Sequence, residues 1–132
     1  MKKNKPLTLA LPKGRLFQSA WDLLRSMDYV SSDGWGNDRS LIREGVDSRI
    51  SIVRIRDVDV PTYVEHGAAD LGVVGKDIPP EHERTVYEPL DLGFGFCRLV
   101  LAAPLVDGTV PEWESLVEGA HLRVAAKFVN VT

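Results

Sequence analysis

The sequence predicts an α/β protein, and three segments lead to that prediction. An apolar run from Leu7 to Leu11 is followed by a glycine-containing turn and then by an amphipathic helix. Residues 49–56 alternate apolar and polar side chains, as a strand does. Residues 58–77 (VDVPTYVEHGAADLGVVGKD) combine a second helix, a continuous apolar run and a polar exit marked by glycine. Helices that alternate with strands favour an open sheet whose ligand site lies outside the carboxyl ends of the strands.

Size and composition limit the possible classes of protein. The chain has 132 residues, which is one domain or one domain plus part of another. Its hydrophobic fraction is 44% and its charged fraction 27%, as in ordinary soluble proteins. No apolar run approaches the roughly 18 residues that span a bilayer, and the basic start is interrupted too early to be a signal peptide. We therefore predict a cytoplasmic protein that does not enter a membrane.

Charge is distributed unevenly along the chain. Residues 1–60 contain eleven Lys/Arg and eight Asp/Glu, whereas residues 61–132 contain five and eleven. A basic first half within a protein of net charge −3 predicts local anion binding rather than a nucleic-acid surface.

The first half of the chain gives the clearest elements. A helix is predicted from Arg15 to about Met27, because its apolar residues recur on one face. After a loop over residues 31–37, short strands are predicted at Arg39–Arg43 and Arg49–Arg56. Along the second of these, Ile50, Ile52, Arg54 and Arg56 share one face, so that face turns from apolar to cationic where the strand ends.

Residues 58–77 follow a helix-to-strand pattern. Asp59 is predicted to cap a helix through its side chain, and Gly67 to end that helix in a left-handed conformation. The apolar run Leu71–Val74 is typical of a strand covered on both faces. Gly75, Lys76 and Asp77 would follow at the carboxyl end of that strand.

The second half is predicted to add three strands and a short helix. The strands are Val86–Leu92, Arg98–Ala103 and Leu122–Ala126, and the helix is Glu112–Val117. The single Cys97 is predicted to be a buried strand residue, which leaves no partner for a disulfide.

The first candidate site is Lys13-Gly14-Arg15, at the start of the first helix. A helix N-terminus offers free N–H groups and a partial positive charge, and Gly14 permits close approach to the backbone. Cations at this end oppose the helix dipole unless an anion is bound. The alternative is a surface turn with two solvated cations.

Arg39, Arg54 and Arg56 form a second candidate set. An arginine at the carboxyl end of a parallel strand can reach into the crevice and grip a phosphate with two hydrogen bonds. The alternative for Arg54 and Arg56 is a structural ion pair with a nearby aspartate.

Asp70 and Asp77 are candidates to orient a sugar hydroxyl or a Mg²⁺ ion that bridges phosphates, with capping and turn roles as the alternative. The three histidines, His66, His82 and His121, show no metal-binding spacing, so no protein metal site is predicted. From these residues alone we predict an α/β lobe with a cationic crevice for a phosphorylated small molecule.

Several blocks of this sequence resemble the ATP phosphoribosyltransferase family, and its short form in particular. The blocks occur in the family's order and span the chain as far as Lys127: LPKGRL at 11–16, DRSL at 38–41, the segment at 58–77, LDLG at 90–93, CRL at 97–99 and LRVAAK at 122–127. The segment at 58–77 carries most of the specificity.

The resemblance implies a periplasmic-binding-protein-like (type II) pair of α/β lobes. Residues 1–98 would form most of the first lobe, and residues 99–132 a hinge strand and the incomplete start of the second. The implied reaction transfers a phosphoribosyl group from phosphoribosyl pyrophosphate to N1 of ATP in the first step of histidine biosynthesis, with Mg²⁺ bound to the substrate phosphates. The implied partner is a regulatory subunit resembling a histidyl-tRNA synthetase core, joined to a homodimer of this chain in a hetero-oligomer.

By this resemblance Arg15 and Arg39 would be the catalytic cations that neutralise the departing pyrophosphate, and Lys13 and Gly14 would assist. The crevice would also be lined by Arg54, Asp70, Gly72 and Gly75. Two departures stand out: Ser40 occupies a position that is often basic, and the family's acidic phosphoribosyl-pyrophosphate loop has no counterpart here. The chain alone is therefore expected to be inactive. The alternative is a non-catalytic lobe that binds a small ligand.

Overall fold

The computed structural model describes residues 5–36, 39–118 and 123–131. Its centre is a four-stranded sheet with the strand order β2-β3-β1-β4. The strands are β1 (Leu7–Pro12), β2 (Ile42–Glu44), β3 (Ile50–Ile55) and β4 (Leu71–Gly72). The predictions of the first strand and of the strand at 49–56 are confirmed, and the strand predicted at Arg39–Arg43 begins three residues later than expected.

The directions of the four strands determine which of their ends lie together. β1 pairs with β3 along its whole length, from Leu7 opposite Ile50 to Pro12 opposite Ile55. β4 is parallel to β1 on the other side, with Gly72 opposite Ala10. β2 runs antiparallel to β3, with Ile42 opposite Val53. The carboxyl ends of β1, β3 and β4 and the start of β2 therefore meet at one edge, called here the carboxyl edge.

Two helices cover opposite faces of the sheet. Helix α1 (Arg15–Ser26) and helix α2 (Val60–Glu65) each contribute to a separate apolar cluster. Successive residues of a strand point to opposite faces, so β1 and β3 contribute to both clusters. The buried members beside α1 are Leu11, Ala20, Trp21, Leu24, Val30, Trp35, Ile50 and Ile52. Those beside α2 are Ala10, Val53, Ile55, Val60 and Ala69. The α/β prediction is thereby confirmed.

The ends of α2 show one wrong prediction and one confirmed prediction. Asp59 lies at the start of the helix but makes no side-chain capping bond. Its carboxylate instead accepts hydrogen bonds from Arg56 at 2.8 and 3.3 Å. Gly67 has φ +71°, the left-handed conformation predicted for the residue that follows a helix. A single turn of 3-10 helix, Asp57–Asp59, precedes α2 and links it to β3.

The strand predicted at Leu71–Val74 is shorter and more exposed than expected. It pairs over Leu71 and Gly72 alone and lies at the border of the sheet. Leu71 is 49% exposed, so the prediction of a strand covered on both faces is wrong. A strand is fully buried only when other strands pair with it on both sides. β4 pairs with β1 on one side, so its apolar side chains are partly exposed.

The second half of the chain contains the largest differences from the prediction. Val86–Leu92, Arg98–Ala103 and the described residues 123–126 form no strand, and Leu122 lies outside the described residues, as does His121. Many apolar side chains there are exposed, including Phe96 at 91% and Val100 at 74%. Cys97 is exposed rather than buried. The helix predicted at Glu112–Val117 is confirmed as α4 (Trp113–Val117). Among the described residues, no helix has the length and apolar character needed to cross a membrane.

One buried carboxylate ties the two halves together. Glu81 ends helix α3 (Ile78–Glu81) and is only 8% exposed. Its side chain accepts hydrogen bonds from the backbone N–H groups of Val129, Asn130 and Val131 at 2.7, 2.8 and 2.9 Å. The Asn130 side-chain amide donates in return to the Glu81 carbonyl at 2.7 Å. We call this contact the Glu81 clasp.

Candidate functional site

The carboxyl edge begins with the turn that joins β1 to α1. The backbone N–H of Lys13 donates to the Ile55 carbonyl at 2.7 Å, which extends the β1–β3 pairing by one step. Gly14 then adopts φ +98° and ψ −148°, a conformation that side chains rarely tolerate, and α1 begins at Arg15. An added Cβ at Gly14 would meet nothing within 4 Å, so the glycine is required by the backbone and not by crowding.

This turn presents a helix N-terminus without a countercharge. The first turn of α1 contains no acidic residue, and its side-chain cap is absent. Lys13 and Arg15 are exposed, and no carboxylate of the described residues forms an ion pair with either. Two cations and the positive end of the helix dipole therefore act together on any anion placed here.

Arg39 approaches the same edge from the segment that precedes β2. The backbone N–H of Arg54 donates to the Leu41 carbonyl at 2.8 Å, which aligns the residues before β2 with the end of β3. Because β2 runs antiparallel to β3, Arg39 lies two residues beyond Leu41 in the direction in which β3 ends. Its side chain is exposed, and it has no ion pair within the part of the chain that the structure describes.

Arg54 is held differently, by aromatic rings. Its guanidinium lies 5.1 Å from the ring centroid of Phe17 and 5.1 Å from that of Trp35. Both distances are within the range of cation–π attraction. Its Nε atom is buried and has no hydrogen-bond partner among the described residues. Trp35 was missed by the sequence reasoning, which treated residues 31–37 as a loop only. A lone tryptophan in a glycine-rich loop was the available signal of burial.

Arg56 makes the structural ion pair with a nearby aspartate that was the alternative to phosphate binding. Its guanidinium makes an ion pair with Asp59 at 2.8 Å, and the hydrogen bond from this partner, reinforced by its charge, raises the pKa of Arg56. Arg56 is thus already neutralised at the carboxyl edge, in contrast to Lys13, Arg15 and Arg39.

Gly75 also belongs to this edge. It lies three residues beyond Gly72, as Lys13 lies three beyond the paired Ala10. A Cβ atom at Gly75 would come within 2.5 Å of the Asp77 carboxylate. The turn therefore brings Asp77 close to the backbone. Lys76 between them faces Glu88 at 3.8 Å, which weakens its availability to other anions.

Two predicted site residues, Asp70 and Gly72, have structural contacts of their own. Asp70 precedes β4, and its carboxylate accepts a hydrogen bond from the Thr8 N–H at 2.7 Å, near the start of β1. This contact places Asp70 at the amino edge of the sheet, beside Thr8, which is five residues of strand, or roughly 16 Å, from Lys13. At Gly72 an added Cβ would lie 2.5 Å from Val60 Cγ1. Its lack of a side chain lets α2 pack on β4.

The predicted residues thus separate into two groups. Lys13, Gly14, Arg15, Arg54 and Gly75 lie at or near the carboxyl edge, and the direction of β2 places Arg39 toward it. Gly72 ends β4 on that side but packs against α2, and Asp70 lies at the amino edge. No three His, Cys, Asp or Glu residues come together as a metal site within the described residues. A concave surface of about 220 Å³ between residues 99–102 and 124–126 is apolar and contains none of the predicted site residues.

Comparisons with known proteins identify the family of this chain. The HisG family model, described as ATP phosphoribosyltransferase, matches residues 56–132. That match covers more than half of the chain. The chain belongs to the ATP phosphoribosyltransferase family.

Individual relatives extend the match toward the N-terminus. An ATP phosphoribosyltransferase of Sorangium cellulosum is 48% identical over 128 residues, which cover 97% of this chain and 56% of the relative. One from Syntrophotalea carbinolica is 42% identical over 126 residues, with 96% and 56% covered. The chain therefore spans slightly more than half the length of these curated relatives.

A solved structure also matches this HisG family member. The ATP phosphoribosyl transferase (HisG:HisZ) complex from Thermotoga maritima has 35% sequence identity to it and a TM-score of 0.56. The match covers 67% of this chain and 40% of that one. The fold described above is therefore one that a family member also adopts.

Proposed function

We propose that this chain provides the anion-binding lobe of an ATP phosphoribosyltransferase. The whole enzyme would transfer the phosphoribosyl group of phosphoribosyl pyrophosphate to N1 of ATP and release pyrophosphate, as the first step of histidine biosynthesis. The observation that supports this best is the start of α1, where Gly14 leads the helix, Lys13 and Arg15 are exposed, and no carboxylate of the described residues pairs with either. Arg39 would lie at the same edge, because β2 begins beside the end of β3.

The reaction needs positive charge more than it needs a nucleophile. Breaking the bond to pyrophosphate builds negative charge on the leaving group, and cations already in place stabilise that charge without reorganising. Arg15 and Arg39 would make these contacts. Lys13 would add a third charge, and the conformation of Gly14 would leave the first N–H groups of α1 open to a phosphate.

Arg54 and Gly75 would line the same crevice, Arg54 through its guanidinium and Gly75 through its backbone. Asp70 and Gly72 are not part of the proposed site, because the first lies at the opposite edge and the second is needed for packing. Mg²⁺ would enter bound to the substrate phosphates, because it prefers phosphate and carboxylate oxygens as ligands.

The proposal extends to the whole protein by similarity. A type II periplasmic-binding-like pair of lobes would place the carboxyl edge along a cleft. A homodimer of such chains would join a regulatory subunit in the cytoplasm, in keeping with the HisG:HisZ complex named for the Thermotoga maritima structure. The 132-residue chain alone would bind the anion without turnover.

Isothermal titration of the chain with magnesium pyrophosphate tests the proposed site. A charge-assisted hydrogen bond contributes about 1.5–3 kcal/mol, so Arg15→Ala and Arg39→Ala are each expected to weaken binding by at least about tenfold. Arg25→Ala is the matched control, because Arg25 lies at the other end of α1 and pairs with Asp22.

Three outcomes would reject the proposal. The wild-type chain could fail to bind pyrophosphate, or the Arg25 variant could lose as much affinity as the other two. Binding of free amino acids in preference to pyrophosphate and ATP would instead identify a non-catalytic lobe for small solutes.

A further inference from the structure

Arg54 differs from the other cations of the carboxyl edge in how its side chain is fixed. Lys13, Arg15 and Arg39 project into solvent, whereas Arg54 is partly buried between two rings. The rings of Phe17 and Trp35 stand nearly perpendicular, at 87° with centroids 5.8 Å apart, so they form a corner. A planar guanidinium in such a corner keeps few of its rotamers, which lowers the entropy it loses when it binds a ligand.

The corner is itself rigid. Trp35 is only 4% exposed, and it packs edge-on against Trp21, whose centroid is 5.7 Å away. Its indole N–H also donates to the Ser40 carbonyl at 3.3 Å. That bond anchors the residue next to Arg39. The same tryptophan therefore supports the position of Arg54 and the course of the chain at Arg39.

The Arg54 guanidinium has no counter-charge among the described residues. Its Nε is buried and has no acceptor, and no carboxylate of the described residues pairs with it. Arg43 contacts the same Trp35 ring but has a hydrogen-bond acceptor. Its guanidinium lies 5.4 Å from the Trp35 centroid, and its Nη1 donates to the Gly34 carbonyl at 2.8 Å. A partly desolvated guanidinium that lacks such an acceptor gains from an added anion, because burial strengthens charge interactions.

We propose that Trp35 is a positioning residue, which with Phe17 orients the Arg54 guanidinium toward a phosphate group bound at the Lys13-Gly14-Arg15 turn. This inference rests on the proposed function and adds to it a residue that does not itself touch the ligand. It also commits the ligand to a phosphate-bearing molecule, because a guanidinium fixed in orientation favours an oxyanion with two suitably placed oxygens.

The test compares four variants by titration with magnesium pyrophosphate. Arg54→Gln and Trp35→Leu are expected to weaken binding about tenfold and about three- to tenfold, respectively. Trp35→Phe, which keeps an aromatic face, is expected to stay within about twofold of the wild type. Arg54→Lys keeps the charge but loses the planar group that stacks in the corner, so it is expected to behave like Trp35→Leu.

A spectroscopic measurement separates positioning from general stability. In a Trp21→Phe, Trp113→Phe background Trp35 is the remaining tryptophan, and pyrophosphate is expected to change its emission. The change should disappear when Arg54→Gln is added, even at pyrophosphate concentrations that still saturate the other cations. If Trp35→Leu fails to fold, Arg54→Lys and the emission change still decide the question.

The results distinguish this inference from the function on which it rests. If Arg15→Ala abolishes binding while the Arg54 and Trp35 variants bind like the wild type, the positioning role is refuted and the proposed site stands. If the wild-type chain does not bind pyrophosphate, both are refuted.

Discussion

Replacing Glu81 by glutamine should release residues 129–131 from the rest of the molecule. The clasp consists of three backbone N–H groups that donate to one buried carboxylate, at 2.7–2.9 Å. A hydrogen bond to a charged group contributes about 1.5–3 kcal/mol. Part of that gain is offset, because the ordering of each backbone residue costs roughly 1–2 kcal/mol. We expect the free energy of unfolding to fall by about 2–3 kcal/mol.

Glutamine is the informative substitution because it keeps the shape of the side chain. Its amide oxygen can accept from one or two of the N–H groups, but its NH₂ group faces the remaining donor and cannot accept. Glu83→Gln is the matched control, since Glu83 lies two residues further on and is exposed. Urea denaturation measures the change in unfolding free energy, and hydrogen exchange measures protection at the amides of 129–131.

The unfolding free energy and the amide exchange rates are expected to change together. Glu81→Gln should accelerate exchange at Val129, Asn130 and Val131 by more than tenfold, whereas Glu83→Gln should leave it unchanged. Equal exchange in the two variants would show that the carboxylate does not hold this segment. Faster exchange with an unchanged unfolding free energy would show that the clasp is local and does not stabilise the domain.

Two further substitutions test the packing and the acid stability of the lobe. Gly72→Ala should destabilise the protein by about 1–3 kcal/mol, because its Cβ would lie 2.5 Å from Val60 Cγ1. Adding Val60→Ala to this variant should recover part of the lost stability, as measured by thermal denaturation. Desolvation raises the pKa of Asp47, but the hydrogen bonds from Arg49 lower it by more, so the net pKa is lowered. The contribution of Asp47 to stability is therefore present above its unfolded-state pKa of about 4 and lost as the pH falls through the lower folded value. Asp47→Asn should lower the free energy of unfolding near neutral pH and leave it unchanged at acid pH, where Asp47 is protonated, so that the acid limb of a stability–pH curve becomes flatter. An acid limb identical to that of the wild type would contradict this.

The sequence was most informative where a structure is built from neighbouring residues. The alternation of Ile50, Ile52 and Arg54 placed all three on the face that α1 covers, because the period of a strand is a local property. The positive φ of Gly67 was equally predictable, since the cost of that conformation depends on the residue itself.

It was least informative where the outcome depends on a distant partner. Arg98–Ala103 has the composition of a buried strand, but a strand needs neighbouring backbone to accept its hydrogen bonds, and composition does not specify that neighbour. Edge position misled the prediction for Leu71–Val74 in the same way.

The structure places Asp70 away from the carboxyl edge for a different reason. A residue that precedes a parallel strand lies at the amino edge of the sheet, and ligands bind at the other edge. The direction of the chain could have excluded it. The contact of Arg54 with Phe17 and Trp35, in contrast, joins three segments that are distant in sequence, and no local pattern contains it.

The place of β1 in the sheet has a consequence for biosynthesis. β1 is a central strand that is made before both of its neighbours, which come from residues 50–55 and 71–72. A nascent chain that ends before residue 71 exposes one backbone edge of Leu9 and Ala10, and unpaired strand edges of this kind attract other chains. Strand pairing over such separations is also slow compared with the formation of α1 beside β1. In this lobe β1 therefore leaves the ribosome before either of the strands that pair with it.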